Sequence, residues 1–183
     1  GHEGCLRVLH ELGAAASLSA EDTNGITPAH GAAQRGHEGC LHALHELGAA
    51  ASLSAEDTTG VTPAHVAAAC GHDGCLRVLH ELGAAASLSA QDTTGWTPAH
   101  LAAEKGHEGC VRVLHELGAA ASLSAEDSDG WTPAHAAARH GHAGCVHALH
   151  ELGAAASLSA QKNDRWTPAH LAAANGHEGC LRV

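Results

Sequence analysis

Nineteen histidines and seven cysteines stand in a chain of 183 residues, and these are the side chains with the means to ligate metal or to do acid–base or nucleophilic work. His37 and Cys40 are spaced i, i+3 near a predicted helix start, and the same pair returns along the chain. His42 and His45 are spaced to share a helix face, as are His147 and His150, which is a spacing that can ligate metal. The signatures that build such pairs into a centre are missing. His45-Glu46 runs on into Leu47, Gly48 and Ala49 and completes no HExxH, and there is no CxxC. An active site is one place, whereas these residues recur at the same point of every copy of a repeat. They read as parts of the repeat, so no catalytic residue, metal or cofactor is expected.

The repeat supplies the elements that position them. GHEGC begins at Gly1, Gly36, Gly106 and Gly176, with GHDGC at Gly71 and GHAGC at Gly141, a period of 35 residues without insertion or deletion. Self-similarity at a fixed period of this length marks a solenoid, whose units bury their apolar faces only by stacking on neighbours. Residues 56–90 illustrate the unit. Asp57-Thr58-Thr59-Gly60 is a turn sequence with Gly suited to positive φ. Thr62 is a natural N-cap and Pro63 a natural first helical residue, which predicts a short helix from Pro63 to about Cys70, stopped by Gly71. Ala64, Ala67 and Ala68 form its small face. A second helix is predicted from about Asp73 to Leu82, with Cys75, Leu76, Leu79 and Leu82 as one apolar stripe. A return loop, Ala84 to Ala90, carries Leu88 as its one large apolar residue.

Composition agrees with thin stacked layers. There is no Phe, Tyr or Met and only three Trp, so Ala, Leu, Val and Cys must fill the interior, and small side chains do so only where backbones approach closely. The net charge of −11 and the absence of any Lys/Arg run argue against a nucleic-acid partner. No apolar stretch is long enough for direct membrane insertion, and no signal-peptide pattern opens the chain. Equivalent positions on stacked helices lie about 8–10 Å apart, beyond a disulfide's reach of about 4.4–6.8 Å between Cα atoms. Cys40, Cys75, Cys110 and Cys145 therefore read as small buried apolar residues, and Cys70 as the odd thiol. Unpaired thiols in this number suit a reducing, intracellular compartment, with the cytoplasm the first expectation.

Asp92, Gly95, Thr97, Pro98, His100, Ala102, Ala103, Gly106 and His107, followed by Leu114, Leu117, Gly118 and Ala119, match a familiar pattern, and Thr-Pro-Ala-His recurs five times in register. The whole chain resembles the ankyrin repeat family. The resemblance implies an all-α, ankyrin-type helix-turn-helix solenoid with hairpin-like loops in a single curved array. It also implies that the Thr-Pro-Ala-His imidazole bonds the neighbouring turn, that the Gly-His imidazole serves the loop, and that hairpin tips and first helices line a concave groove that grips partners. Two departures stand out. The family's Leu after Thr-Pro is Ala here (Ala29, Ala64, Ala99, Ala134, Ala169), and the two residues beyond the usual period fall in the Ala-Ala-Ser-Leu-Ser return loop, where they lengthen or kink the hairpin fingers. One array is expected over 1–183: a partial unit 1–20, full units 21–55, 56–90, 91–125 and 126–160, and a partial unit 161–183. Neither end carries a polar capping unit, so the chain reads as part of a longer array.

Comparing the copies points to a surface. Leu-His-Glu-Leu-Gly-Ala-Ala-Ala-Ser-Leu-Ser-Ala is unchanged in its five complete copies, so variation falls elsewhere. After the turn it gives Ile26, Val61, Trp96, Trp131 and Trp166; on the first helix it gives Gly31, Val66, Leu101, Ala136 and Leu171, with Glu104, Lys105, Arg139 and His140 among the residues at the helix end. Stacking residues must stay alike in identical units, whereas positions free to differ face solvent or a partner. Trp is a favoured interface anchor because one rigid ring buries much area, and the competing use of the same rings is packing on the next hairpin. The expected function is a non-enzymatic scaffold binding another protein or protein complex through the concave face. A structural spacer within a large assembly is the alternative, and a metal-binding array built on the repeated His and Cys ranks third.

Overall fold

A computed structural model describes residues 2–182. In chain order the α-helices are α1 (Glu3–Glu11), α2 (Pro28–Gln34), α3 (Glu38–Glu46) and α4 (Pro63–Cys70). They continue with α5 (Asp73–Glu81), α6 (Pro98–Lys105), α7 (Glu108–Glu116) and α8 (Pro133–His140). The last are α9 (Ala143–Glu151), α10 (Ala155–Ser159), α11 (Pro168–Ala174) and α12 (Glu178–Leu181). Among the described residues there is no β-strand, and the architecture is an all-α array of stacked helix pairs.

The first helix of each pair starts where Thr and Pro place it. Thr62 is extended (φ −103°, ψ 167°) and its backbone N–H donates to His65 Nδ1 at 3.1 Å, which occupies a donor that a helix start otherwise leaves bare. Gly71, Gly106 and Gly141 close these helices in the left-handed region. In the second helix, Cys75, Leu76 and Leu79 are fully buried, and Val78 joins them at 6% exposure, widening the stripe read from the sequence; Leu82 is only half-buried. Each sealed Leu contributes about 1.5–3 kcal/mol of burial.

Ala29, Ala64, Ala99 and Ala134, the residues that stand where the family has Leu, are fully buried. With so little between them, successive first helices pack on one another more extensively than successive second helices do. The return segment departs from a plain loop. Ala50–Ser54, Ala85–Leu88 and Ala120–Ser124 wind into 3-10 turns that bury Leu53, Leu88 and Leu123, and the Ser87 hydroxyl closes its turn by donating to the Ala84 carbonyl at 2.7 Å. The Ala85–Leu88 turn packs against both helices of its own pair, α4 and α5.

Neighbouring pairs are joined by repeated polar links. His65 Nε2 donates to the Trp96 carbonyl at 3.1 Å, His30 to Val61 at 3.0 Å, His100 to Trp131 at 3.1 Å and His135 to Trp166 at 3.0 Å. Nδ1 of His65, His100 and His135 accepts from a Thr N–H, so the proton of these three sits on Nε2 and they are neutral. The Gly-His imidazoles pack across the joint: His107 reaches the Ala69 carbonyl at 3.1 Å, and a Cβ on Gly71 would lie 2.8 Å from its ring. On the second-helix face, Arg7–Glu46, Arg77–Glu116 and Arg112–Glu151 pair at 2.7 Å along the stack.

Candidate partner-binding surface

The first four finger turns are held by one aspartate each. Asp57 Oδ1 accepts from the Thr59 N–H and hydroxyl, both at 2.7 Å, and from the Val61 N–H at 3.0 Å. Burial pushes this carboxyl up, but the bonds from Thr59 and Val61 outweigh it, and its pKa lies below the ordinary value. Gly60 sits at φ 80°, and a Cβ there would come within 3.0 Å of the Thr93 nitrogen in the next turn. Turns connect in series through one backbone bond each: Thr58 N–H to the Asn24 carbonyl, Thr93 to Thr59 and Asn163 to Asp129, all at 2.9 Å.

This frame places Ile26, Val61, Trp96, Trp131 and Trp166 along one edge. Ile26 and Trp166 are exposed at 36% and 40%, and Val61, Trp96 and Trp131 are half-buried. The rings do more than face outward. Trp96 tilts over His100 with centroids 5.5 Å apart, packs against the core, and its indole N–H donates to Asp127 Oδ2 at 2.8 Å. Trp131 meets His135 edge-on at 6.0 Å and lies under Arg139 and Lys162, 5.4 and 5.5 Å from its centroid. Packing and exposure therefore coexist in each ring.

On the first helices, Val66, Leu101 and Glu104 are half-buried, while Lys105, Arg139 and His140 are exposed. Leu171 is 7% exposed, whereas Leu101, at the same place of its unit, is half-buried. Glu104 gathers its neighbours, with Lys105 at 3.4 Å and His140 at 3.8 Å. Desolvation lowers the His140 pKa; Glu104 opposes this and Arg139 adds to it. The sequence reading passed over Lys162, Asp127 and Arg165. The signal was present, since Gln161-Lys162-Asn163-Asp164-Arg165 breaks the Asp-x-x-Gly turn pattern of the earlier copies.

The repeated His and Cys do not converge: among the described residues, no group of three or more His, Cys, Asp or Glu is placed to hold a metal ion. Cys40, Cys75, Cys110 and Cys145 are buried and free, and burial pushes the Cys75, Cys110 and Cys145 thiols up to about 12, so they stand as neutral thiols rather than thiolate nucleophiles at neutral pH. Among the described residues no helix is long and apolar enough to cross a membrane.

The family model for ankyrin repeats (3 copies) matches residues 1–88, 49–125, 82–159 and 117–183, which together span the chain. The chain belongs to the ankyrin repeat family. Among curated protein sequences, none matches it. Ankyrin repeats form a non-catalytic scaffold fold that generally mediates protein–protein contacts.

Proposed function

We infer that this ankyrin array binds one partner protein through the edge formed by its finger turns and first helices. The observation that carries the reading is the match between variation and exposure. The exchanges between chemically unlike residues, from Ile26 and Trp96 to Glu104, Arg139 and His140, are exposed or half-buried; Leu171 and Ala136 are covered, the exchanges inside the stack (Ala43 against Val78, Leu76 against Val111) stay apolar, and the unchanged Leu44, Leu79, Leu114 and Leu149 are sealed. A surface selective for one partner needs unlike residues along its length, and stacking needs like ones. Trp96 and Trp131 stand centrally and supply most of the contact energy, with truncation of either costing about 2 kcal/mol or more of binding. Glu104, Lys105, Arg139 and His140 set orientation and encounter rate.

The test places a photo-crosslinking residue at Leu101 or Lys105 and, separately, at Glu81 or Glu116 on the second helices, in the native cell extract. The reading requires one protein to be captured from the first-helix positions alone and lost when Trp96→Ala and Trp131→Ala are combined, with helicity retained. Capture from the second helices alone would instead favour a spacer within an assembly, a reading suited to the sameness of the units.

A further inference from the structure

Along the finger turns, the repeat register breaks once. Asp22, Asp57, Asp92 and Asp127 occupy the same place in four turns; in the last turn that place holds Lys162, and Arg165 stands where the others have Gly. The break has a consequence one turn earlier. Asp127 takes the indole N–H of Trp96 at 2.8 Å. The residue that would do the same for Trp131 is Lys162, and among the described residues the Trp131 indole N–H donates to no acceptor while remaining open to solvent.

Positive charge gathers over the ring that carries this unused donor. The Arg139 guanidinium lies 5.4 Å and Lys162 Nζ 5.5 Å from the Trp131 centroid. Lys162 pairs with Asp164, but Arg139 is exposed and forms no ion pair among the described residues. In a chain of net charge −11, an exposed Arg without a carboxylate, lying over an indole whose N–H has no acceptor, describes a place for an anion.

We propose that the partner presents an acidic side chain, an Asp or Glu in an exposed peptide segment, whose carboxylate takes at Trp131 the place that Asp127 holds at Trp96, accepting from the indole N–H and pairing with Arg139. This rests on the reading of the same edge as the partner surface. A single carboxylate suits the corner better than a phosphate dianion, because Glu126, Asp127 and Asp129 belong to the turn that carries Trp131 and repel added negative charge. The same acidity fixes direction. Toward Val61 and Ile26 the turns carry Glu56, Asp57, Glu21 and Asp22, which favour apolar or basic residues in the segment as it leaves the corner.

The experiment selects random displayed peptides on the full chain and measures binding of the enriched ones as synthetic peptides. The proposal expects an Asp or Glu in the enriched set. Arg139→Ala should weaken binding by about tenfold or more, the amide version of the peptide should do the same, and the two changes together should cost little beyond either alone. Arg139→Glu should be rescued by a Lys in the peptide. Peptides that lose binding with Trp96→Ala and Trp131→Ala, yet lack an acidic residue and ignore Arg139→Ala, would overturn this inference and leave the groove standing. No enrichment, or binding indifferent to both Trp changes, would overturn the groove and this inference together. Circular dichroism of Arg139→Ala separates lost contact from lost fold.

Discussion

His65, His100 and His135 each use both ring nitrogens, one accepting from a Thr N–H and the other donating to a carbonyl of the next turn. A second proton would set two donors against each other at Nδ1. Burial lowers the pKa of all three, against the raising effect of the carbonyl bond. The unfolded chain, with imidazoles near about 6.5, therefore binds more protons than the folded chain just below that pH. The stability they contribute is fully present above about pH 6.5 and is lost as pH falls from there through the folded values. Urea midpoints measured at pH 7.5 and 5.5 should show the lower pH markedly less stable; equal midpoints would mean that these imidazoles are charged or solvated in the fold. The recurrence of Thr-Pro-Ala-His was enough to mark them as structural, whereas the proton position depended on seeing which atoms lie beyond each nitrogen.

Among the elements, the finger turn and the end of the second helix both need glycine, but for different reasons. Gly60 (φ 80°) is left-handed and would press a Cβ to 3.0 Å from the Thr93 nitrogen, whereas Gly83 (φ 89°) is left-handed with nothing within 4 Å. Gly83→Ala should cost about 1 kcal/mol, the ordinary penalty of the left-handed region. Gly60→Ala should cost more, because the next turn must also shift. Comparing the two in denaturant separates conformation from contact, and equal costs would show that the turns do not bear on one another. The turn and both helices of each pair were legible from Thr-Pro, Gly and the apolar spacing. The 3-10 winding of Ala-Ala-Ser-Leu-Ser was not, since a short run of small residues carries no periodicity and takes its shape from the groove into which Leu88 drops.

Across the whole molecule, stability comes from each pair stacking on the next, so the same residue has different worth at different places. Leu79 is fully buried between neighbours, and Leu9, at the same place in the repeat, is 42% exposed. Leu79→Ala should cost about 2–5 kcal/mol. Leu9→Ala should cost much less, and calorimetry of the two variants would expose any error in assigning the stacking face. What the amino-acid sequence determined by itself was everything that repeats: the period, the helix pair, the buried Leu and Cys, and the family, because identical copies must solve the same packing problem in the same way. Tertiary structure alone decided what happens between unlike neighbours. The indole of Trp96 finds Asp127 while that of Trp131 meets Arg139 and Lys162, and Leu171 is covered while Leu101 is half-open. Trp96 and Asp127, like Trp131 and Lys162, are 31 residues apart and meet across a joint, while Arg139 reaches Trp131 from the first helix of the same unit, and no local pattern encodes which atoms will face each other there.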